Sequence, residues 1–420
     1  MLKLICPSQN YDWGKKGGSS EVAKLSTLNS GEAIDESLPY AELWMGTHPN
    51  CPAVLSGDQS TTLKAWIEKN PASLGDVVHG RWGAELPFLF KVLSVATALS
   101  IQAHPNKQLA EKLHADRPKV YKDDNHKPEM AVAISEFEAL SGFVTTEELL
   151  EAFANIPELR ATIGESTTAR VEAAHKAGED PKAPFKDAFT KLMTCDPAIV
   201  KDQIGSLVAR LHAKQPDLSA KEQLVLRLQG QYPDDVGILS VYFLNLIVLQ
   251  PGEAIFMAAN EPHAYLSGEC AEVMATSDNV VRAGLTPKLR DTDILCDMLT
   301  YNQGLPTLLK GDPRDACSKH YAPPFDEFEM DIIHLSANGS YTIPAAAGPS
   351  MLLVHKGAGS AQAAMPAQLS DLAEDPSAWN GPIKRGDIFF VAAGSSVKLE
   401  GHIAEDLTIM RCGCSSDIFK

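Results

Sequence analysis

The stretch GEAIFMAANEPHAYL, residues 252–266, reads as a turn, an apolar strand, a second turn and another strand. It returns at an offset of 134 as GDIFFVAAGSSVKL, residues 386–399. Gly252 meets Gly386, Glu253 meets Asp387, Phe256 meets Phe390, and Ala258-Ala259 meet Ala392-Ala393. A Gly–acid turn ahead of an apolar run is a strand signal. Two copies of one antiparallel unit imply two related β structures, barrels or sandwiches, in one chain; the alternative is chance recurrence of a Gly–acid pair before a strand. One position separates the copies. His263 falls on Val397, so a ligand held through His263 in the first has no counterpart in the second.

Strand texture extends outward from both copies. Residues 1–143 show short apolar runs, at 87–95, 98–103 and 130–134, broken by Gly, Pro, Asn and Asp. Local helices are expected there, with helical spacing at 63–68 and 107–113. Residues 144–232 differ. Thr145 and Glu148 have the form of a capping box, and apolar residues recur near every 3.6 positions at 185–193, 199–211 and 220–228. The Ala-, Glu-, Lys- and Thr-rich stretch 164–184 reads as an exposed excursion, and 358–380 as a loop. The expected fold is therefore mainly β with an α-helical insertion. Residues 1–143 and 242–319 would form one discontinuous β unit, 144–241 a helical domain, and 320–420 a second β unit without a metal site.

Composition bounds the function. The 420 residues are 44% hydrophobic and 22% charged, which excludes bulk disorder. Lys+Arg number 37 against 54 Asp+Glu, a net charge of −17 that argues against nucleic-acid binding or adhesion to an acidic membrane. The eight cysteines contain no C-x-x-C pair, as suits reduced thiols in a cytoplasmic protein. Residues 86–103 and 238–249 are apolar, but too polar or too short to cross a membrane.

Three clusters carry chemistry. In SIQAHP, residues 100–105, Gln102 and His104 are i and i+2 and share one strand face. In DNHKPEM, residues 124–130, Lys127 and Glu129 do the same, as do His263 and Tyr265 in NEPHAY, residues 260–265. Each has a plainer reading alone: a hydrogen-bonded Gln–His pair, a charged turn, a structural histidine. Together Gln102, His104, Glu129 and His263 supply two imidazoles, a carboxylate and an amide oxygen, a set that suits Zn2+. A divalent ion with one anionic ligand keeps about one positive charge, enough to polarise a sugar carbonyl or steady an enediolate. Asp278 and Arg282 share a face in an extended 278–282. Arg282, Lys288, Lys91 and Ser100 would make a locally basic pocket for a phosphate or carboxylate, with ordinary surface salt bridging as the alternative.

These motifs resemble type I mannose-6-phosphate isomerase (phosphomannose isomerase): QAHPNK at 102–107, DNHKPEM at 124–130, NEPHAYLSGECAE at 260–272 and SDNVVRAGLTPK at 277–288, with QNYDWGKKG at 9–17 and AELWMGTHP at 41–49. The resemblance implies a zinc enzyme of two cupin-type (jelly-roll) β-barrels plus a helical domain. It implies one Zn2+ on Gln102, His104, Glu129 and His263, and a monomer with a small sugar phosphate as partner. It implies interconversion of mannose 6-phosphate and fructose 6-phosphate, which supplies GDP-mannose synthesis.

Arg282 falls on the family's catalytic arginine. Aldose–ketose isomerisation moves one proton between carbons and one between oxygens. Candidates for catalysis are Lys127, Asp278, Glu272 and Arg282; those for substrate binding are Ser100, Lys91, Lys288, Tyr265 and His126. Lys127 and Asp278 compete as the base. A sugar-phosphate sensor without turnover would be expected to lack a ligand or Arg282, and an Fe(II) oxygenase would favour two His and one carboxylate.

Overall fold

The larger sheet is organised by one long strand, His263–Ala275. The computed structural model describes all 420 residues, apart from the side chains of 370–373. The C-terminal half of this strand pairs with Phe88–Val95 on one side and Glu129–Ala133 on the other. Its N-terminal half pairs instead with Phe137–Phe143, and at His263 with Ile101–Ala103. The change of partners falls at Gly268, where φ is +107°. A Cβ there would lie 2.3 Å from the backbone oxygen of Glu136, so only glycine lets the two strands close up.

From that strand the sheet runs outward to Ala254–Met257 and Leu308–Leu309 on one side, and to Glu42–Met45 and Ser8–Gln9 on the other. A second sheet orders Asp312–Pro313, Ser318–Tyr321, Glu329–Leu335, Leu407–Gly413, Ser350–Lys356, Ile388–Val391, Leu2–Ile5 and Val54–Leu55. A third holds Ser340–Ile343, Ser396–Gly401, Ala358–Ala364 and Gly381–Lys384. Strand pairing is open in each sheet, and no closed barrel forms among the described residues. Both copies of the sequence repeat are strand–turn–strand. In the first, the two strands stay in one sheet; in the second, Ile388–Val391 and Ser396–Gly401 part into different sheets. Val397, which stands where His263 does in the first copy, pairs with Ile343 and is buried among apolar residues.

Three expectations need correction. Leu2–Ile5 and Val54–Leu55 belong to the sheet of the C-terminal residues rather than to that of residues 1–143; a strand's partner is fixed by its apolar faces, not by proximity along the chain. The 358–380 segment is not a loop throughout, since Ala358–Ala364 pairs with both of its neighbours. The 164–184 stretch is not an excursion: it contains the helix Glu165–Ala177, which buries Thr167, Thr168, Val171 and Ala174. Its alanines and threonines hid a narrow apolar stripe.

The rest of the helical block follows its periodicity. Thr145 and Glu148 close the expected capping box at the start of Thr146–Asn155, and Ser219 and Glu222 do so for Ala220–Gln231. Aromatic rings seat the block on the sheet. Phe143 stacks on Tyr301 at 5.1 Å and meets Phe185 and Phe189 edge-on. The core thus formed is continuous with Ile101, Ala103, Ala264, Val281 and Ala283, on the strands that present the candidate ligands. Among the described residues no helix is long and apolar enough to cross a membrane.

Gly268→Ala is expected to cost about 1–3 kcal/mol for the positive φ alone, with a further penalty from the Glu136 contact. Denaturant unfolding measures the loss, and metal affinity should fall with it because His263 lies on the displaced half of the strand.

Candidate metal centre and substrate cavity

Each ligand residue is placed by a paired strand or the residue just beyond one. His263 opens the long strand and pairs with Gln102, and Gln102 pairs on its other side with Arg282. These three make one row across three strands, and cross-strand neighbours share a face. His104 follows directly after Ile101–Ala103, and Glu129 opens Glu129–Ala133.

The row converges on a buried trio. Oε2 of Glu129 lies 3.4 Å from Nε2 of His104 and 3.2 Å from Nε2 of His263. The other ring nitrogens are spoken for: Nδ1–H of His104 donates to the carbonyl of Asn279 at 2.7 Å, and that of His263 to the carbonyl of Glu261 at 3.0 Å. Those bonds fix the tautomer and leave a lone pair on each Nε2. Burial pushes the His104 imidazole down to about 4, which keeps it neutral at pH 7. Burial alone would raise the carboxyl of Glu129, but the Lys127 ammonium beside it holds it well below the usual range. Both Nε2 atoms and Oε2 of Glu129 are buried without a hydrogen-bond partner. Leaving such acceptors bare costs about 1–3 kcal/mol each, and three facing one another also repel. A cation removes both penalties, and two imidazoles with a carboxylate suit a borderline divalent ion.

Gln102 lies in the row beside the trio, and its Oε1 accepts the Ser100 hydroxyl at 3.3 Å. Both line a cavity of about 740 Å³, together with Arg282 and Lys288. Arg282 has no hydrogen bond or ion pair among the described residues, and burial alone acts on its guanidinium. Its charge persists at any working pH, so it faces the cavity as an unanswered cation.

Other residues expected at the site have different partners. Lys91 is trapped between Glu42 and Glu272, 3.2 Å from each, with its side chain 8% exposed. Two carboxylates already neutralise it, so it has no free charge to offer a phosphate. Tyr265 donates to Glu272 at 2.9 Å. Burial raises the Glu272 carboxyl, opposed by Lys91 and reinforced by Glu129 and Glu42. His126 faces Glu327 at 2.6 Å and, like Tyr265, is not part of the cavity wall. Lys127 holds Oε1 of Glu129 at 3.0 Å. Asp278 lies 3.3 Å from Nε2 of His48, whose hydrogen bond is the chief reason its carboxyl falls below the usual range. Nδ1 of His48 accepts the Asn50 N–H, which puts the ring proton on Nε2.

The wall contains residues given no role from the sequence: Tyr11, Asp12, Trp13 and Glu42, plus Gln231 and Tyr232 from the end of the helical block. The first four lie in the stretches 9–17 and 41–49, where the only signal was similarity to a family pattern. A second cluster, His320, Glu329 and Asp331, sits in the C-terminal sheet. Arg411 reaches Asp331 at 2.7 Å and Arg314 at 3.2 Å, so its charge is met by guanidinium groups and it has no need of a metal.

Residues 1–146 match the phosphomannose isomerase type I catalytic domain, and residues 162–244 match the helical insertion domain of the same family. Mannose-6-phosphate isomerase 2 of Arabidopsis thaliana is 44% identical over 100% of this chain and 94% of its own. The mannose-6-phosphate isomerase of Bos taurus is 41% identical over 99% and 98%. Among solved structures, mannose 6-phosphate isomerase from Salmonella typhimurium, bound to substrate and a zinc atom, superposes with a TM-score of 0.80 at 29% identity, covering 99% of each chain. Full-length similarity at this level, joined to a buried His–Glu–His trio beside a polar cavity, places the chain in the type I phosphomannose isomerase family.

Proposed function

We propose that this chain is a zinc-dependent isomerase that interconverts mannose 6-phosphate and fructose 6-phosphate through an enediolate, and that its mannose 6-phosphate supplies GDP-mannose synthesis. The observation that carries the reading is the pairing of three orphaned acceptors on His104, Glu129 and His263 with an unpaired Arg282 in the adjoining cavity. Gln102 completes the ligand set as an amide oxygen from the same strand row. We read the two β units as cupin-type jelly rolls, one catalytic and one structural, with the helical domain inserted in the first.

Zinc, when bound, supplies Lewis-acid stabilisation of negative charge on sugar oxygens. The chain's own residues divide the remaining work. Ser100 and Lys288 offer a hydroxyl and an ammonium to the 6-phosphate. Arg282 clamps the charge that develops on the oxygens, since a guanidinium cannot serve as a base but donates in a rigid fork. Lys127 is engaged as the counter-ion of Glu129, and Lys91 as that of Glu42 and Glu272. Asp278 is 40% exposed, and its carboxyl, held below the usual range by the His48 hydrogen bond, is ionised; it lies four residues before Arg282, which lines the cavity. That supports Asp278, backed by His48, as the base for the carbon-to-carbon transfer.

The purified protein should convert mannose 6-phosphate to fructose 6-phosphate, lose the activity to a chelator and regain it with Zn2+. His104→Ala and His263→Ala should each lose bound metal; full zinc occupancy in both would refute the assignment.

Arg282→Ala should keep its zinc and most of its substrate affinity but lose about 10²–10³ in kcat, the usual cost of one preorganised donor. Arg282→Lys should recover only part. If Arg282→Ala lowers Tm but leaves kcat unchanged, its role is to hold the strand.

Asp278→Asn removes the base without changing shape and should lose about 10²–10⁴ in kcat. An unchanged kcat would return the proton transfer to another group.

A further inference from the structure

The ladder between Ile101–Ala103 and Val281–Gly284 is short. Val281 pairs with Ala103, Arg282 with Gln102 and Gly284 with Ile101, and there the pairing ends. Just beyond that end, each strand continues into a wall of the cavity: Thr97, Leu99 and Ser100 on one side, Leu285 to Lys288 on the other. Two such walls, no longer bonded to each other, should splay apart.

A third piece of chain fills the gap. Oε1 of Gln231 accepts the Ala98 N–H at 3.1 Å, and the Tyr232 hydroxyl donates to the Ala98 carbonyl at 2.6 Å, so both backbone groups of Ala98 are taken. On the opposite wall, Oδ1 of Asp235 accepts N–H groups from Leu285 and Gly237 at 2.7 Å each, and Oδ2 accepts the Thr286 N–H at 3.4 Å. Leu285 has φ of +53°, a conformation a branched side chain adopts only when something else holds it. A carboxylate on its N–H is such a restraint, because bonds to a charged acceptor are the stronger kind. Gly237 and Gly284 touch backbone to backbone, and a Cβ on either would come within 2.7 Å of the other chain. The bridging segment is itself tied down: Asp234 receives Lys201 at 3.0 Å and exchanges two hydrogen bonds with Gln229.

We infer that the exit from the helical insertion, Gln231 to Gly237, is a clamp that sets the separation of the cavity walls, with Asp235, Tyr232 and Gln231 as positioning residues for the phosphate-binding end of the substrate. The inference rests on the function proposed above. It gives the helical insertion a purpose at the site: its last turn fixes where Ser100, just before the paired strand, stands relative to Lys288, three residues after Leu285.

The test uses full-length, zinc-loaded protein and the variants Asp235→Ala, Asp235→Asn and Tyr232→Phe. For each, kcat and KM for mannose 6-phosphate, the inhibition constant of inorganic phosphate, zinc content and Tm are measured. With the wall released, Asp235→Ala should raise KM and the phosphate constant by about tenfold or more, the scale set by losing bonds to a charged acceptor, while keeping its zinc. Asp235→Asn keeps a carbonyl oxygen for the Leu285 N–H and should fall between it and wild type. Tyr232→Phe loses one bond and should shift KM by a few-fold. A lower Tm with KM, kcat and the phosphate constant all within about twofold of wild type would overturn the clamp. If Asp235→Ala does not fold, Tyr232→Phe decides on the same measurements. If wild type shows no isomerase activity, the functional reading fails by itself, and calorimetric binding of inorganic phosphate to wild type and Asp235→Asn still decides the clamp.

Discussion

A carboxylate oxygen wedged between two imidazole lone pairs, with water shut out, is a repulsive arrangement that the fold nevertheless builds from three separate stretches of chain. Glu129, His104 and His263 can be assembled this way only because each is fixed from behind: the imidazoles by carbonyls of Asn279 and Glu261, the carboxylate by Lys127. Metal binding and local folding are therefore one equilibrium. The ion removes a penalty already present in the buried trio, so its binding stabilises the folded site.

The surrounding charges show how an acidic protein shapes a site for an anion. Negative groups are not excluded from the neighbourhood; the buried ones are matched. Glu42 and Glu272 share Lys91, and Glu129 has Lys127. Arg282 and Lys288, neither in an ion pair among the described residues, line the cavity. A ligand phosphate meets a field set by these nearby charges, rather than by the net charge of the whole molecule.

The pairs of inward-facing residues at i and i+2, the capping box at Thr145 and the strand–turn–strand repeat were all visible in the sequence, because each depends on residues a few positions apart. The repeat even showed that Val397 replaces His263, and the structure finds Val397 in an apolar core. What could not be read was partnership at long range. Lys91 carried the right charge for a phosphate, yet the carboxylates that claim it come from two other strands. His126 is taken by Glu327, about two hundred residues away in sequence. Asp235 drew no reading at all, because its role lies in the backbone N–H groups of Leu285 and Thr286, which no side-chain pattern records. The N-terminal strand was assigned to the nearer sheet for the same reason.

That strand has a consequence for how the protein is made. Leu2 pairs with Phe390 and Leu4 with Ile388, so Leu2–Ile5 leaves a ribosome roughly 385 residues ahead of that partner. At 5–20 residues per second the interval is roughly 20–80 s. Through that time LKLI is an apolar strand with an unsatisfied edge, the kind of segment that recruits other nascent chains. Lys3 is the charge that discourages such pairing, and in the finished fold it is answered by Asp387 at 2.8 Å. The pairing of Leu2–Ile5 with Ile388–Val391 is thus a high-contact-order step, of the kind that forms slowly and stays exposed to aggregation until it closes.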